Sequence, residues 1–313
     1  MNPPRIVFAG TPRFAIPALE WLIENDFSPV AVLTQPDRPA GRGRGLTASP
    51  VKQLAEARGI ALEQPRTLKD PDALKRLAGL EPDLLITAAY GLLLPPTVLE
   101  LPVHGCWNLH ASLLPRWRGA SPINQAILAG DSETGVSLMQ MEAGLDTGPV
   151  LLQAKLPIGP RETAGTLHDR LARLAAQVLA EGLDALIKDR LPEPQPQDES
   201  RATHAPLIGK EDARLDWNLP AERLATMVRA YNPWPVAHGE IRGEPIRVFE
   251  AWPTTAMLDA RPTPPGSPVT GHGQLDCLRV ACGQGVLDIT ELQSPGKRRM
   301  TAREWLNAHP GWR

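Results

Sequence analysis

The sequence predicts an α/β protein in two parts: a larger N-terminal domain on a mostly parallel sheet, then a smaller C-terminal domain of short strands forming a barrel or sandwich. Three observations predict it. Short apolar runs alternate with amphipathic helical patterns before position 190, and strands alternating with helices imply a parallel sheet. The stretch Leu191-Pro192-Glu193-Pro194-Gln195-Pro196-Gln197-Asp198-Glu199-Ser200 is proline-spaced and polar, lacks a periodic apolar face and reads as a linker. Beyond it, short strand patterns are separated by Gly and Pro turns. At 313 residues the chain can bury two cores, since a domain commonly holds about 100 to 200 residues. The expected division is a first domain over 1–189, a linker over 190–206 and a second domain over 207–313.

In order, Ile6-Val7-Phe8-Ala9 followed by Gly10-Thr11-Pro12 reads as a buried strand ending in a turn, and the spacing of Ile16, Leu19, Leu22 and Ile23 predicts a helix. One glycine falls short of the dinucleotide fingerprint, in which several glycines let the backbone approach a pyrophosphate, so no nicotinamide or flavin cofactor is implied. Val30 to Leu33 is the next strand. Ser49-Pro50 supplies an N-cap and a first-turn proline for a helix ending at Gly59, and Asp70-Pro71 starts another ending near Gly79. Leu84 to Ala88 and Cys106 to His110 read as strands, Ser121-Pro122 opens a short helix through Leu128, and Val136 to Met141 and Val150 to Leu156 are further strands. Thr163 can cap a long helix with Leu167, Leu171, Leu174 and Val178 on its core face. After the linker, Leu224, Met227, Val228 and Tyr231 form one helical stripe, stopped by Asn232-Pro233-Trp234-Pro235. Strands are expected at Ala237 to Ile241, Ile246 to Trp252, Leu278 to Cys282 and Val286 to Leu292, and Thr301-Ala302-Arg303-Glu304 is a capping box.

Composition narrows the function classes. A formal net charge of -2, with 42% hydrophobic and 22% charged residues, gives no global attraction to nucleic acid or an anionic membrane. From Leu207 onward, 13 Lys and Arg face 12 Asp and Glu, so that half is no basic module and any polyanion site must be local. Cys106, Cys277 and Cys282 include no Cys-x-x-Cys pair, which excludes a dense disulfide framework and an all-Cys zinc site. No segment approaches the ~18 to 20 apolar residues of a membrane span. The expectation is a soluble cytoplasmic protein without a membrane partner.

The stretch Cys106 to Ser121 is the candidate active site. If Gly105 to His110 is extended, Asn108 and His110 point to one side, an amide donor beside a titratable base, while Trp107 and Leu109 point the other way into packing. The turn Glu142-Ala143-Gly144-Leu145-Asp146-Thr147-Gly148-Pro149 holds a candidate acid, Asp146, whose value depends on meeting His110. The loop Gln35 to Leu46 is too rich in Gly and Pro for regular structure and carries Arg38, Arg42 and Arg44. Glycines let its backbone approach a polyanion, and arginine forks suit phosphate oxygens. Lys297-Arg298-Arg299 is a second basic cluster.

Asn108-Leu109-His110-Ala111-Ser112-Leu113-Leu114-Pro115-Arg116-Trp117-Arg118-Gly119 resembles the Asn-x-His and Ser-Leu-Leu-Pro motif of the methionyl-tRNA formyltransferase family, within the folate-dependent formyltransferases. Ala9-Gly10-Thr11-Pro12, Ala88-Ala89-Tyr90-Gly91, Leu145-Asp146-Thr147-Gly148 and Asn232-Pro233-Trp234-Pro235 agree with that family in content and order. The resemblance implies a Rossmann-like catalytic domain, a C-terminal OB-like barrel that helps bind tRNA, 10-formyltetrahydrofolate as formyl donor, initiator methionyl-tRNA as acceptor, and no metal. It implies catalytic roles for Asn108, His110 and Asp146 and folate contact by Ser112, Leu113, Leu114 and Pro115; the basic loop is expected to meet the acceptor end of the tRNA through Arg42 and Arg44, and the protein is expected to be a monomer. Gly45 stands where the family commonly has lysine, which lowers the charge of the basic loop. A formyltransferase acting on a nucleotide sugar or a small nucleotide amine, and a non-catalytic RNA-binding module on the same scaffold, are the alternatives.

Overall fold

Strands buried on both faces are mostly apolar, and Ile6–Gly10 and Leu84–Ala88 are buried at every position. They form the centre of a seven-stranded sheet in a computed structural model that describes residues 3–40, 45–254, 263–269 and 276–312. Across the sheet the order is Val150–Pro157, Glu133–Gln140, Cys106–His110, Leu84–Ala88, Ile6–Gly10, Ala31–Leu33 and Leu62–Glu63. The last five strands pair in parallel, and the first two are antiparallel. The connecting helices start where the caps predict. Ser49 accepts from the Lys52 N–H ahead of Pro50–Ala57, and Asp70 accepts from the Asp72 N–H ahead of Pro71–Ala78.

The chain divides into two compact units. The first comprises Met1–Pro122, Glu133–Pro157 and His168–Ala205. Its portion of the helix Ala164–Ile187 lies against one face of the sheet: a Cβ added at Gly182 would come within 2.5 Å of the Leu138 side chain and 3.4 Å of the Trp107 ring. Trp107 is therefore turned toward this helix, and the period-two alternation of the strand turns Asn108 and His110 to the opposite face.

The Gly- and Pro-rich loop after the second strand departs from the expectation of irregular structure. Arg38–Ala40 pairs antiparallel with Gly45–Thr47. Its base is tied down, because Asp37 accepts from Lys52 Nζ at 2.7 Å and from Gln64 Nε2 at 2.9 Å. The Lys52 hydrogen bond holds the Asp37 carboxyl below the ordinary carboxylate range.

The stretch expected as a linker also behaves differently. Through Ala205 it belongs to the first unit. Gln195 and Val150 exchange backbone hydrogen bonds at 2.8 Å each way, and His204–Ala205 pairs in parallel with Arg118–Gly119. Proline spacing keeps the stretch before Asp198 extended, so its free backbone groups find partners elsewhere along the chain, and Glu199–Arg201 forms a single 3-10 turn.

The second unit comprises Ile123–Ser132, Ile158–Leu167 and Pro206–Arg313. Its sheet is antiparallel in the order Ala237–Ile241, Glu244–Thr254, Val286–Gln293, Leu278–Ala281, with Met300–Thr301 also on Val286–Gln293. Leu224 and Val228 of the helix Ala221–Ala230 share a buried core with Val248, Leu287, Ile289 and Trp305. The capping box at Thr301 and Glu304 is formed as its sequence predicts. Two segments from before position 190 join this unit: the Asn124 amide donates to the Ala230 carbonyl at 2.7 Å, and the Gly165 N–H to the Asn232 carbonyl at 2.9 Å. Among the described residues, no helix is long and apolar enough to cross a membrane.

Candidate active site

Asn108 and His110 share one face of the strand Cys106–His110, and the loop after Glu133–Gln140 brings Asp146 to them. The Asn108 amide Nδ2 donates to Asp146 Oδ1 at 3.3 Å. His110 Nδ1 stands 3.6 Å from Asp146 Oδ2, a gap just beyond direct hydrogen bonding. The same Oδ2 accepts the Gly119 N–H at 2.9 Å. The carboxylate is thus shared by an amide, an imidazole and a backbone donor. Asp146 itself has φ of 53°, a left-handed turn conformation that aspartate tolerates better than most residues.

The other ends of these side chains are engaged as well. His110 is 6% exposed, and its Nε2 lies 2.9 Å from the Trp117 carbonyl. A carbonyl oxygen only accepts, so this nitrogen carries hydrogen and Nδ1 is the one turned to Asp146. The Asn108 oxygen accepts the Thr87 hydroxyl proton at 2.8 Å. Thr87 is buried and sits directly opposite Asn108 in the parallel register. With the oxygen end occupied, the NH2 end of the amide is the one presented to Asp146.

The Ser-Leu-Leu-Pro segment is a buried turn. Ser112 has no exposed surface, and its hydroxyl donates to the Arg116 carbonyl at 2.6 Å. The Ser137 hydroxyl donates to the Ser112 carbonyl at 2.7 Å and accepts from the Leu114 N–H at 3.1 Å. Leu114 is buried, while Leu113 and Pro115 are half-buried, and the Leu114–Pro115 peptide is cis. The turn brings Trp117 back to His110 and Gly119 back to Asp146.

Arg42 and Arg44 lie outside the described residues. Arg38 is exposed at the start of the strand Arg38–Ala40 and donates to the Gln35 side chain. Cys106, on the same strand as the polar pair, is buried; burial pushes its thiol up to about 12, and Sγ lies 3.5 Å from the Val98 carbonyl.

Sequence reasoning missed three contributors. Thr87 left a signal, a lone hydroxyl in the apolar run Leu84-Leu85-Ile86-Thr87-Ala88. Gly119 left a weaker one, as a glycine closing the motif. Gln197, whose Nε2 donates to the Asp146 carbonyl at 2.8 Å and the Gly148 carbonyl at 2.7 Å, left none, because its surroundings read as linker.

A carboxylate, an imidazole and an amide donor converge at the end of a parallel-sheet strand, a set of groups able to donate hydrogen bonds and handle a proton in group transfer. Residues 4–183 match the family described as formyl transferase, and residues 207–310 match its C-terminal domain. The chain is 54% identical over 304 residues to the methionyl-tRNA formyltransferase of Xanthomonas euvesicatoria pv. vesicatoria (strain 85-10), covering 97% of each chain. It is also 54% identical over 304 residues, again 97% of each, to the methionyl-tRNA formyltransferase of Xylella fastidiosa (strain 9a5c). The solved structure of an N-formyltransferase from Helicobacter canadensis with folinic acid and dTDP-3-aminofucose has the same fold, with a TM-score of 0.68 at 17% identity, over 91% of this chain and 98% of that one. The chain belongs to the methionyl-tRNA formyltransferase family.

Proposed function

We propose that this chain transfers the formyl group of 10-formyltetrahydrofolate to the α-amino group of methionine on initiator methionyl-tRNA. The observation that carries the reading is the meeting of Asn108, His110 and Asp146 on a chain similar along 97% of its length to enzymes of that name. In the reaction the amine nitrogen attacks the formyl carbon, a carbon–nitrogen bond to the amine forms, the bond to the folate nitrogen breaks, and the amine's surplus proton ends on the departing folate nitrogen. Negative charge develops on the formyl oxygen as the carbon becomes tetrahedral. Asn108 has one amide hydrogen on Asp146 and a second free to donate to that oxygen, which is how preorganised donors accelerate acyl transfer. His110, whose Nε2 is held on the Trp117 carbonyl, takes up and returns the proton at Nδ1, the nitrogen facing Asp146. No covalent enzyme intermediate is required.

The turn from Ser112 to Pro115 forms the folate-facing wall. The half-buried Leu113 and Pro115 supply surface to it, while the buried Ser112 and Leu114 hold its shape. Arg42 and Arg44 contact the phosphates near the acceptor end of the tRNA; the described strands on either side of them in sequence, Arg38–Ala40 and Gly45–Thr47, pair with each other. The antiparallel sheet of the second unit acts as an OB-like tRNA-binding barrel, in a protein that works as a cytoplasmic monomer.

The test is transfer of labelled formyl from the folate to three acceptors: charged initiator tRNA, a nucleotide-sugar amine and a small nucleotide amine. Transfer to the tRNA alone is expected. Transfer to a small acceptor in its place defeats the substrate assignment, and no transfer to any favours a binding module.

A further inference from the structure

We infer that Gln197 is a positioning residue for Asp146, and that the segment from Gln195 to Ala205 is a clasp that assembles the active site. The inference rests on Asp146 serving the transfer as proposed above. Residues 184–206 lie outside both family matches, yet the polar groups here meet the site's framework at each joint.

Both Gln197 amide hydrogens are spent on the catalytic loop, on the carbonyls of Asp146 and Gly148. Its oxygen accepts Arg118 Nε at 2.9 Å. Arg118 is 2% exposed, and its remaining nitrogens grip both oxygens of Glu199, at 2.9 and 2.7 Å. A planar guanidinium held at three points is a rigid stop for the glutamine. On the other side, the Thr203 hydroxyl accepts the Trp117 N–H at 2.9 Å, and the Ala205 carbonyl accepts the Ala120 N–H at 2.8 Å. These bonds flank the two backbone groups that matter: the Trp117 carbonyl on His110, and the Gly119 N–H on Asp146.

A loop held at a left-handed aspartate persists only where its surroundings over-determine it. The Asp146 backbone is fixed from behind by Gln197, while its carboxylate faces Asn108, His110 and Gly119. Removing the two donors leaves the carboxylate chemistry intact but frees its placement, and a small misplacement of a reacting group is costly.

The experiment uses the full-length chain. In Gln197→Met, which keeps length and loses the polar atoms, turnover is expected to fall about tenfold, with KM for both substrates within about twofold of wild type. Amide exchange over 142–148 should quicken roughly tenfold, because two hydrogen bonds that close the loop are gone. Gln197→Glu keeps the acceptor for Arg118 but sets a carboxylate against two carbonyl oxygens, and should lose at least as much. In an Asp146→Asn background Gln197→Met should cost nothing further, since both act through one carboxylate. Full turnover in Gln197→Met, unchanged exchange, or losses that multiply in the double variant overturns the inference. Near-normal turnover of Asp146→Asn alone would instead defeat the catalytic reading of Asp146, and the exchange measurement would still decide whether Gln197 holds the loop.

Discussion

Thr87 and Asn108 stand side by side on neighbouring parallel strands, and the threonine hydroxyl donates to the amide oxygen at 2.8 Å. An asparagine amide is nearly symmetric in shape and can present either end to a substrate. Here the oxygen is claimed by Thr87 and the nitrogen is turned to Asp146, so the donor end is the one available to a developing oxyanion.

Thr87→Val removes that hydroxyl at constant shape. Leaving the amide oxygen without its partner costs about 1 to 3 kcal/mol, and turnover should fall about tenfold or more, with substrate KM little changed. Thr87→Ser should recover most of it. Steady-state kinetics of both variants decide the matter: a Thr87→Val enzyme at wild-type rate would show that Asp146 alone orients Asn108.

Asn108→Ala removes the donor itself, which in comparable sites costs ~100 to 1000-fold in turnover. Thr87→Val added to Asn108→Ala should then have no further effect, because it acts only through the missing amide.

Gly119 carries φ of 117°, and a Cβ there would lie 2.6 Å from the Ala205 carbonyl oxygen. Gly119→Ala therefore pushes two backbone segments apart and strains a residue whose N–H holds Asp146, with backbone strain alone worth about 1 to 3 kcal/mol. Loss of turnover together with a lower thermal midpoint is expected, and an alanine variant with both intact would contradict the close approach.

The Arg118 hydrogen bonds hold the Glu199 carboxyl below its ordinary range. A lowered folded-state value means the ionised form favours folding, so the contribution is present above the ordinary glutamate range and lost as pH falls through the lowered value. Glu199→Gln should unfold more easily than wild type at about pH 7, and the difference should close as pH falls through the lowered value. A thermal-midpoint difference that persists at the acid end would point to lost shape at this position in place of lost charge.

Neutralising Arg42 and Arg44 together should weaken tRNA binding and reduce the slope of log affinity against log salt by about one to two, since each phosphate contact contributes just under one. Filter binding across a salt series measures it, and an unchanged slope removes these arginines from the interface.

Much of this was legible in the residues. Capping residues at Ser49, Asp70 and Thr301 mark helix starts through local hydrogen bonds, and the strand Cys106–His110 declares its two faces by period alone. The motif around Asn108 and His110 points to the chemistry because neighbours two apart on a strand share a side whatever the rest of the fold does. The pairing of Arg38–Ala40 with Gly45–Thr47 was hidden by composition, since Gly and Pro argue against regular structure without saying which flanking stretches will pair.

The sequence by itself thus determined the α/β alternation, the catalytic strand with its amide and imidazole, and the family. Only the tertiary structure decided which residues hold that pair in place. Thr87 lies 21 positions from Asn108, Asp146 lies 38 from it, and Gln197 lies 51 from Asp146. A turn or a cap is chosen by neighbours along the chain, but a hydrogen bond over such separations forms only after sheet register and loop closure have brought the partners together.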